Sequence, residues 1–163
     1  MAVLSLDIGG TNIRSGIVNG TKIISYNKTK TPKKRKEILS LIGKIISSYP
    51  KQKAICVSTA GYETKFGIQN ALNVDINGLF ISKIFSKKFK TKVYVENDAD
   101  CAALAELHYG AGKGINDFVL LTLGTGIGGA IIIDGKLYKG AGGAGEPGSM
   151  IIDKGDIFEH FAS

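Results

Sequence analysis

Asp7 stands just ahead of Gly9-Gly10-Thr11, and Asn97-Asp98 close the run Lys92-Val93-Tyr94-Val95-Glu96 ahead of an alanine-rich stretch. These residue types can do chemistry together. Glycines let a backbone approach a ligand closely, and a turn of free N–H groups forms an anion nest. A carboxylate beside such a nest would work through a cation. Asn97 and Asp98 sit where a strand delivers them to its carboxyl end, the place where α/β folds put their chemistry. A plainer account exists for each. Gly-Gly makes an ordinary hairpin turn without a ligand, and an aspartate opening a helix is a good cap or first-turn residue.

Gly124-Thr125-Gly126-Ile127-Gly128-Gly129 is a second glycine turn, and Gly124, Gly126 and Gly129 fit the dinucleotide fingerprint G-x-G-x-x-G. That motif needs a helix after it to hold the pyrophosphate. Ala130-Ile131-Ile132-Ile133 follows instead, and a β-branched run reads as strand. The dinucleotide reading therefore fails on context. What remains is a threonine-bearing hairpin like the one at Gly9 to Thr11, and two such loops could grip a phosphate chain from either side.

The elements that must position these residues alternate strand and helix. Ala2 to Ile8, Ile13 to Val18 and Lys22 to Tyr26 read as strands, with a hairpin at Asn19-Gly20. Pro32 reads as a helix start, before the stripe Ile38, Leu41, Ile42, Ile45, Ile46 and Tyr49. Lys53 to Thr59 is a strand, the segment to Asn77 is irregular with Asn70 and Asn73 as polar loop residues, and Ile81, Ile84 and Phe85 mark a second helix. A helix from Asp98 to about Tyr109 leads to Gly110–Gly114, the expected hinge, and strands Asp117 to Leu123 and Ala130 to Asp134 follow. Lys136 to Tyr138 is expected to pair back onto them.

Composition bounds the class. Hydrophobic residues make up 44% and charged residues 21% of 163, enough for a real core in one domain or one and part of another. No apolar run spans a bilayer and no signal-peptide layout opens the chain, so a cytoplasmic location is expected. Cys56 and Cys101 form no metal spacing or disulfide framework, and their apolar neighbours imply buried, reduced thiols. The net charge of +7 is concentrated in lysines, densest from Lys28 to Lys36. With no aromatic residue among them to stack bases, that run reads as a solvated helix entry rather than a nucleic-acid patch.

Taken together, Asp7-Ile8-Gly9-Gly10-Thr11-Asn12-Ile13-Arg14, Glu96-Asn97-Asp98-Ala99-Asp100 through Glu106, Leu123–Gly129, Gly145-Glu146-Pro147-Gly148 and Glu159–Ser163 resemble, in order, the motifs of the ROK sugar kinases (repressor, open reading frame, kinase). The resemblance implies an α/β, ribonuclease H-like fold of the actin-like, hexokinase-type ATPases, with a mixed sheet flanked by helices. It implies an N-terminal domain over 1–112 and the start of a second over 113–163, incomplete against a family that continues roughly as long again.

By the same resemblance, Asp98 would be the general base, taking the proton of a hexose or N-acetylhexosamine hydroxyl as it attacks the γ-phosphate of ATP. Asn97, Glu146, Glu159 and Asn73 would hold sugar hydroxyls. Gly9, Gly10 and Thr11 would face one end of the phosphate chain and Thr125 and Gly126 the other, with Asp7 organising Mg²⁺ through water. The expected cofactor is Mg-ATP. Ser149 stands where the family has a histidine that binds sugar and zinc, and the family's cysteine-rich loop is replaced by Ile151–Phe158, so no zinc site is expected.

The strands from Asp117 onward lack a full sheet of their own, and a second copy or a separately encoded C-terminal half is expected to pair with them. The rival function is a non-catalytic sugar-binding or regulatory module. ROK repressors carry a DNA-binding segment ahead of the Asp7 motif, and only six residues precede it here, so DNA binding by that route is not expected. With no spanning apolar run and no aromatic residues among the lysines, no nucleic-acid or membrane partner is expected.

Overall fold

The computed structural model describes residues 2–124 and 126–161. Strands β1 (Ala2–Ile8), β2 (Asn12–Asn19) and β3 (Lys22–Lys30) form an antiparallel run, followed by helix α1 (Arg35–Ser48) and strand β4 (Ala54–Thr59). The short hairpin β5 (Tyr62–Thr64) and β6 (Gly67–Gln69) precedes α2 (Ile81–Phe89), β7 (Lys92–Asn97) and α3 (Asp98–Tyr109). Then come β8 (Phe118–Leu123), β9 (Ile127–Ile133) and β10 (Lys136–Tyr138), and a last small hairpin, β11 (Ile151–Asp153) with β12 (Asp156–Ile157).

The chain divides into two compact units, one up to Asp98 and one from Ala99 onward, ahead of the 112/113 division expected. The first is built on a five-stranded mixed sheet in the order β3-β2-β1-β4-β7. β1, β4 and β7 run parallel, so Ile8, Thr59 and Asn97 share one sheet edge. Alternation puts Leu4, Leu6 and Ile8 of β1 into a core with Ile38, Ile42, Ile45 and Ile46 of α1 and Ile81 and Phe85 of α2. The four α1 residues recur at helical spacing, which is why that stripe was readable. Each fully buried isoleucine here is worth about 2–5 kcal/mol against truncation to alanine.

In the second unit, Phe118 and Leu120 of β8, Ala130 and Ile132 of β9 and Leu137 of β10 pack with Ala103 and Leu107 of α3. The intervening residues Val119, Leu121 and Leu123 are exposed at 63%, 51% and 78%. β8 is an edge strand of that three-stranded sheet.

Three local readings change. The segment after β4 holds the β5–β6 hairpin, whose three-residue strands are too short for a periodic signal. Pro32 does not open a helix: β3 runs to Lys30, and α1 starts at Arg35 after Lys34, whose ψ of 133° is extended. The lysine run is thus a strand end and a connection. Cys56 and Cys101 are in no disulfide among the described residues and are half-buried rather than fully enclosed.

Candidate functional site

The register of β1, β4 and β7 builds the first half of the site. Asp7 lies beside Ser58, and Ser58 beside Glu96; one step on, Ile8, Thr59 and Asn97 align. On the other side Asp7 pairs with Arg14 of β2, which pairs with Lys28 of β3. A polar row, Glu96–Ser58–Asp7–Arg14–Lys28, therefore crosses one face of the sheet near its carboxyl edge. With strands about 4.8 Å apart, β1 and β7 stand about 10 Å from each other with β4 between them.

Asp7 is held on both oxygens. Arg14 Nη1 donates to Oδ2 at 2.8 Å, and Ser58 Oγ donates to Oδ1 at 3.3 Å. The hydrogen bond with Asp7, then its charge, raises the Arg14 pKa above its ordinary value. A carboxylate so engaged is poorly placed to bind a bare cation, yet each oxygen keeps a lone pair for a metal-bound water. Among the described residues no group of three or more His, Cys, Asp or Glu could cage a metal. A hydrated Mg²⁺ that takes its other ligands from phosphates fits this donor set.

The Gly9–Thr11 turn is closed by Gly9 N–H donating to the Asn12 carbonyl at 3.1 Å. The N–H groups of Gly10 and Thr11 make no hydrogen bond to any described residue, so they are the donors an anion could use. The glycine at position 10 has a second cause. A Cβ there would lie 2.5 Å from the Asn73 carbonyl oxygen and 2.9 Å from the Asn73 Cβ. The turn is glycine partly because the Asn73 loop lies against it.

That loop is itself fastened. Asn77 accepts from the Ala71 N–H at 2.9 Å and donates to the Ala71 carbonyl at 3.1 Å. Asp75 accepts from Arg35 Nη2 at 2.9 Å and from Arg35 Nε at 3.2 Å. Thr31, 4% exposed, donates Oγ1 to the Gly9 carbonyl at 2.6 Å, and its N–H bonds the Thr11 carbonyl at 2.9 Å. Thr31 and Asn77 hold the site in shape without carrying its chemistry. Nothing in their spacing announced it, because each acts on a main-chain partner that no periodic pattern marks, 22 residues away for Thr31 and six for Asn77.

Asn97 is buried and donates Nδ2 to the Gly61 carbonyl at 3.3 Å. Gly61 has φ +74°, and a Cβ there would lie within 3 Å of Ala71 N, so β4 hands over to β5 through a turn only glycine can make. Asp98 is the first residue of α3 and is exposed to solvent.

The remaining predicted residues lie in the second unit. Gly126 sits in the β8–β9 turn, where Gly124 N–H bonds the Gly126 carbonyl at 3.0 Å. Gly128 and Gly129 serve packing: a Cβ would meet Thr122 Oγ1 at 2.6 Å and Pro147 Cδ at 2.8 Å respectively. Gly129 thereby seats the turn Gly145–Pro147 on β9, which fixes the backbone at Glu146. Ser149 is exposed in the 3₁₀ turn Pro147–Ser149. Glu159 belongs to the 3₁₀ turn Phe158–Phe161, its side chain lying outside what is described, and Thr125 lies outside the described residues.

A five-stranded mixed sheet with flanking helices and a glycine turn at the end of its first strand defines an α/β chain of the actin-like class. The chain belongs to the ROK family, whose profile matches residues 3–160. It is 34% identical over 143 residues to a glucokinase of Streptomyces coelicolor, which takes in 84% of this chain and 45% of that protein. It is 31% identical over 164 residues to a β-glucoside kinase of Listeria monocytogenes, with 97% and 56% covered. Among solved structures, a ROK family glucokinase from Streptomyces griseus in complex with glucose and AMPPNP superposes with a TM-score of 0.86 at 32% identity, over 100% of this chain and 57% of that one. The chain spans about half the length of the curated relatives it matches.

Proposed function

We propose that this chain carries the base and one phosphate-facing side of a sugar kinase that phosphorylates a hexose or N-acetylhexosamine. The observation that supports this most is the shared sheet edge, which gathers Asp7, the Gly9–Thr11 turn, Asn97 and Asp98. Mg-ATP supplies the transferred phosphoryl group and the neutralising charge. The exposed Asp98 carboxylate takes the proton of the attacking sugar hydroxyl. Asn97, anchored through its amide on Gly61, orients a neighbouring hydroxyl. The Gly10 and Thr11 N–H groups bind phosphate oxygens, and Asp7 orients water on the metal.

Asn73, carried on the loop beside Gly10, and Glu146 and Glu159 contribute further sugar contacts, with Thr125 and Gly126 at the other end of the phosphates. Relatives carry nearly as much sequence again beyond what this chain matches. Turnover is therefore proposed for the chain completed by that length, in one polypeptide or from a second one. Cysteines outside any disulfide fit a cytoplasmic location.

The test is a coupled kinase assay with ATP and a hexose panel, with and without a candidate C-terminal half. Asp98→Asn is expected to lower kcat by about 10²–10⁴-fold while sugar affinity holds. Turnover that survives this change discredits the assignment of the base.

A further inference from the structure

We infer that a cleft at the amino ends of β1 and β4 is a second ligand site, taking a small amphipathic carboxylate. It has a volume of about 310 Å³ and opens to solvent where α1 and α2 end. At about 30 Å³ for each water-sized group, such a space holds roughly ten non-hydrogen atoms. Leu4 of β1 and Ile55 of β4, partners in register, line it with Ile46 of α1, and all three are buried. Leu4 stands four residues before Ile8, so the cleft lies about 13 Å along β1 from the edge that gathers Asn97 and Asp98. A ligand here leaves that edge open.

The walls are set before any ligand arrives. Tyr49 donates its hydroxyl to the Ser25 carbonyl at 2.9 Å, which leaves Ser15 Oγ to donate to it at 3.1 Å. Phe89 is stacked on Phe85, with ring centroids 6.1 Å apart. A preformed apolar wall binds without the cost of ordering it. The adjoining groove over Gly43, lined by Ser40, Lys44, Ser47, Ser48 and Lys88, offers no such wall.

The mouth of the cleft selects the head group. Helix C-termini favour cations through their last carbonyls, yet several of those carbonyls already have donors here. Ser47 Oγ donates to the Gly43 carbonyl at 2.9 Å, Ser48 Oγ to that of Ile45 at 2.8 Å and Thr91 Oγ1 to that of Phe89 at 3.2 Å. Gln52 Nε2 donates to the Pro50 carbonyl at 3.1 Å. Lys51 is exposed and is the only charged side chain among the described residues that line the cleft. This placement, rather than exposure, sets it apart from the chain's other lysines. An apolar tail against Leu4, Ile46, Ile55 and Phe89 with a carboxylate on Lys51 suits both ends.

Titration of the full chain with octanoate, octanol and octylamine, below their aggregation concentrations and followed by amide NMR shifts and calorimetry, tests this. Octanoate is expected to shift the amides of Ser47, Tyr49, Lys51 and Thr91. It should bind about two- to fivefold tighter than octanol at low salt, the gain of one exposed ion pair, with octylamine weakest. Lys51→Gln is expected to bring octanoate down to octanol. Lys44→Gln, in the adjoining groove, is expected to keep the preference, which separates a local cation from the net charge of +7. Thr91→Phe, filling the mouth, is expected to abolish binding of both. Ser47→Phe, on the exposed side of α1, stands in if circular dichroism shows that the first variant misfolds.

If neither octanoate nor octanol saturates the lining amides, or the shifts centre on the apolar edge strand β8 instead, the site is overturned. Equal affinity for octanoate and octanol, octylamine binding tightest, or a preference that survives Lys51→Gln overturns the carboxylate. So does a preference lost equally in Lys44→Gln, since the long-range field then explains it.

Discussion

Replacing Gly10 with alanine tests the packing that shapes the site. The added Cβ would sit 2.5 Å from the Asn73 carbonyl oxygen and 2.9 Å from its Cβ, both well inside van der Waals contact. The nearer atom is main chain, so no rotamer change can relieve it, and the loop through Asn73 must move. That loop is tied at Ala71 by Asn77 and at Asp75 by Arg35, which leaves little freedom to yield. Overpacking of this kind costs about 1–3 kcal/mol. For a chain of this size that lowers Tm by roughly 2–4 °C per kcal/mol. Gly124 is the contrast: a Cβ there meets nothing within 4 Å, so Gly124→Ala is expected to stay within about 0.5 kcal/mol of the parent. Thermal and urea unfolding followed by circular dichroism read both. Gly10→Ala also shifts Asn73, and under the sugar role proposed for Asn73 weaker sugar binding should accompany the loss of stability. Asn73→Gly on the same background should recover only part of it, because the 2.5 Å contact to the carbonyl persists. A Gly10→Ala protein as stable as the parent would refute the reasoning.

Two further outcomes are expected. Asn77→Ala strands both the N–H and the carbonyl of Ala71, itself 3% exposed, and should cost about 1–3 kcal/mol, with faster hydrogen exchange at the Ala71 amide. Burial raises the Cys56 thiol pKa, so alkylation at neutral pH should lag behind that of a free thiol in peptide mapping by mass spectrometry. The raised value also means that this residue's contribution to stability is complete below the ordinary thiol pKa and is lost as pH climbs through the alkaline range.

Much of the fold was legible because its signals are local. Leu4, Leu6 and Ile8 alternate, Ile38, Ile42, Ile45 and Ile46 recur at helical spacing, and both patterns became core. The Asn97–Asp98 corner was readable as a strand end meeting a helix start, and the register then put Asp7 at the same edge. What escaped was non-local. The 31–34 connection departs from a helical start because Thr31 is bonded to two carbonyls of the glycine turn, a tie that no window of sequence around Pro32 contains. Asn77 looked like any loop asparagine, and its role depends on a main-chain partner six residues back. The second glycine run was read as one motif, yet Gly128 and Gly129 answer to neighbours in packing that only three dimensions reveal.

The exposed row Val119, Leu121 and Leu123 on the edge strand β8 bears on how this protein behaves in a tube. An unpaired, apolar strand edge is adhesive, and what keeps like molecules apart is their shared charge of +7. That repulsion reaches about 10 Å at 0.1 M salt and only about 3 Å at 1 M. Concentrated stocks should therefore stay clear in dilute buffer and turn cloudy as salt is added, the reverse of the familiar rescue by salting in.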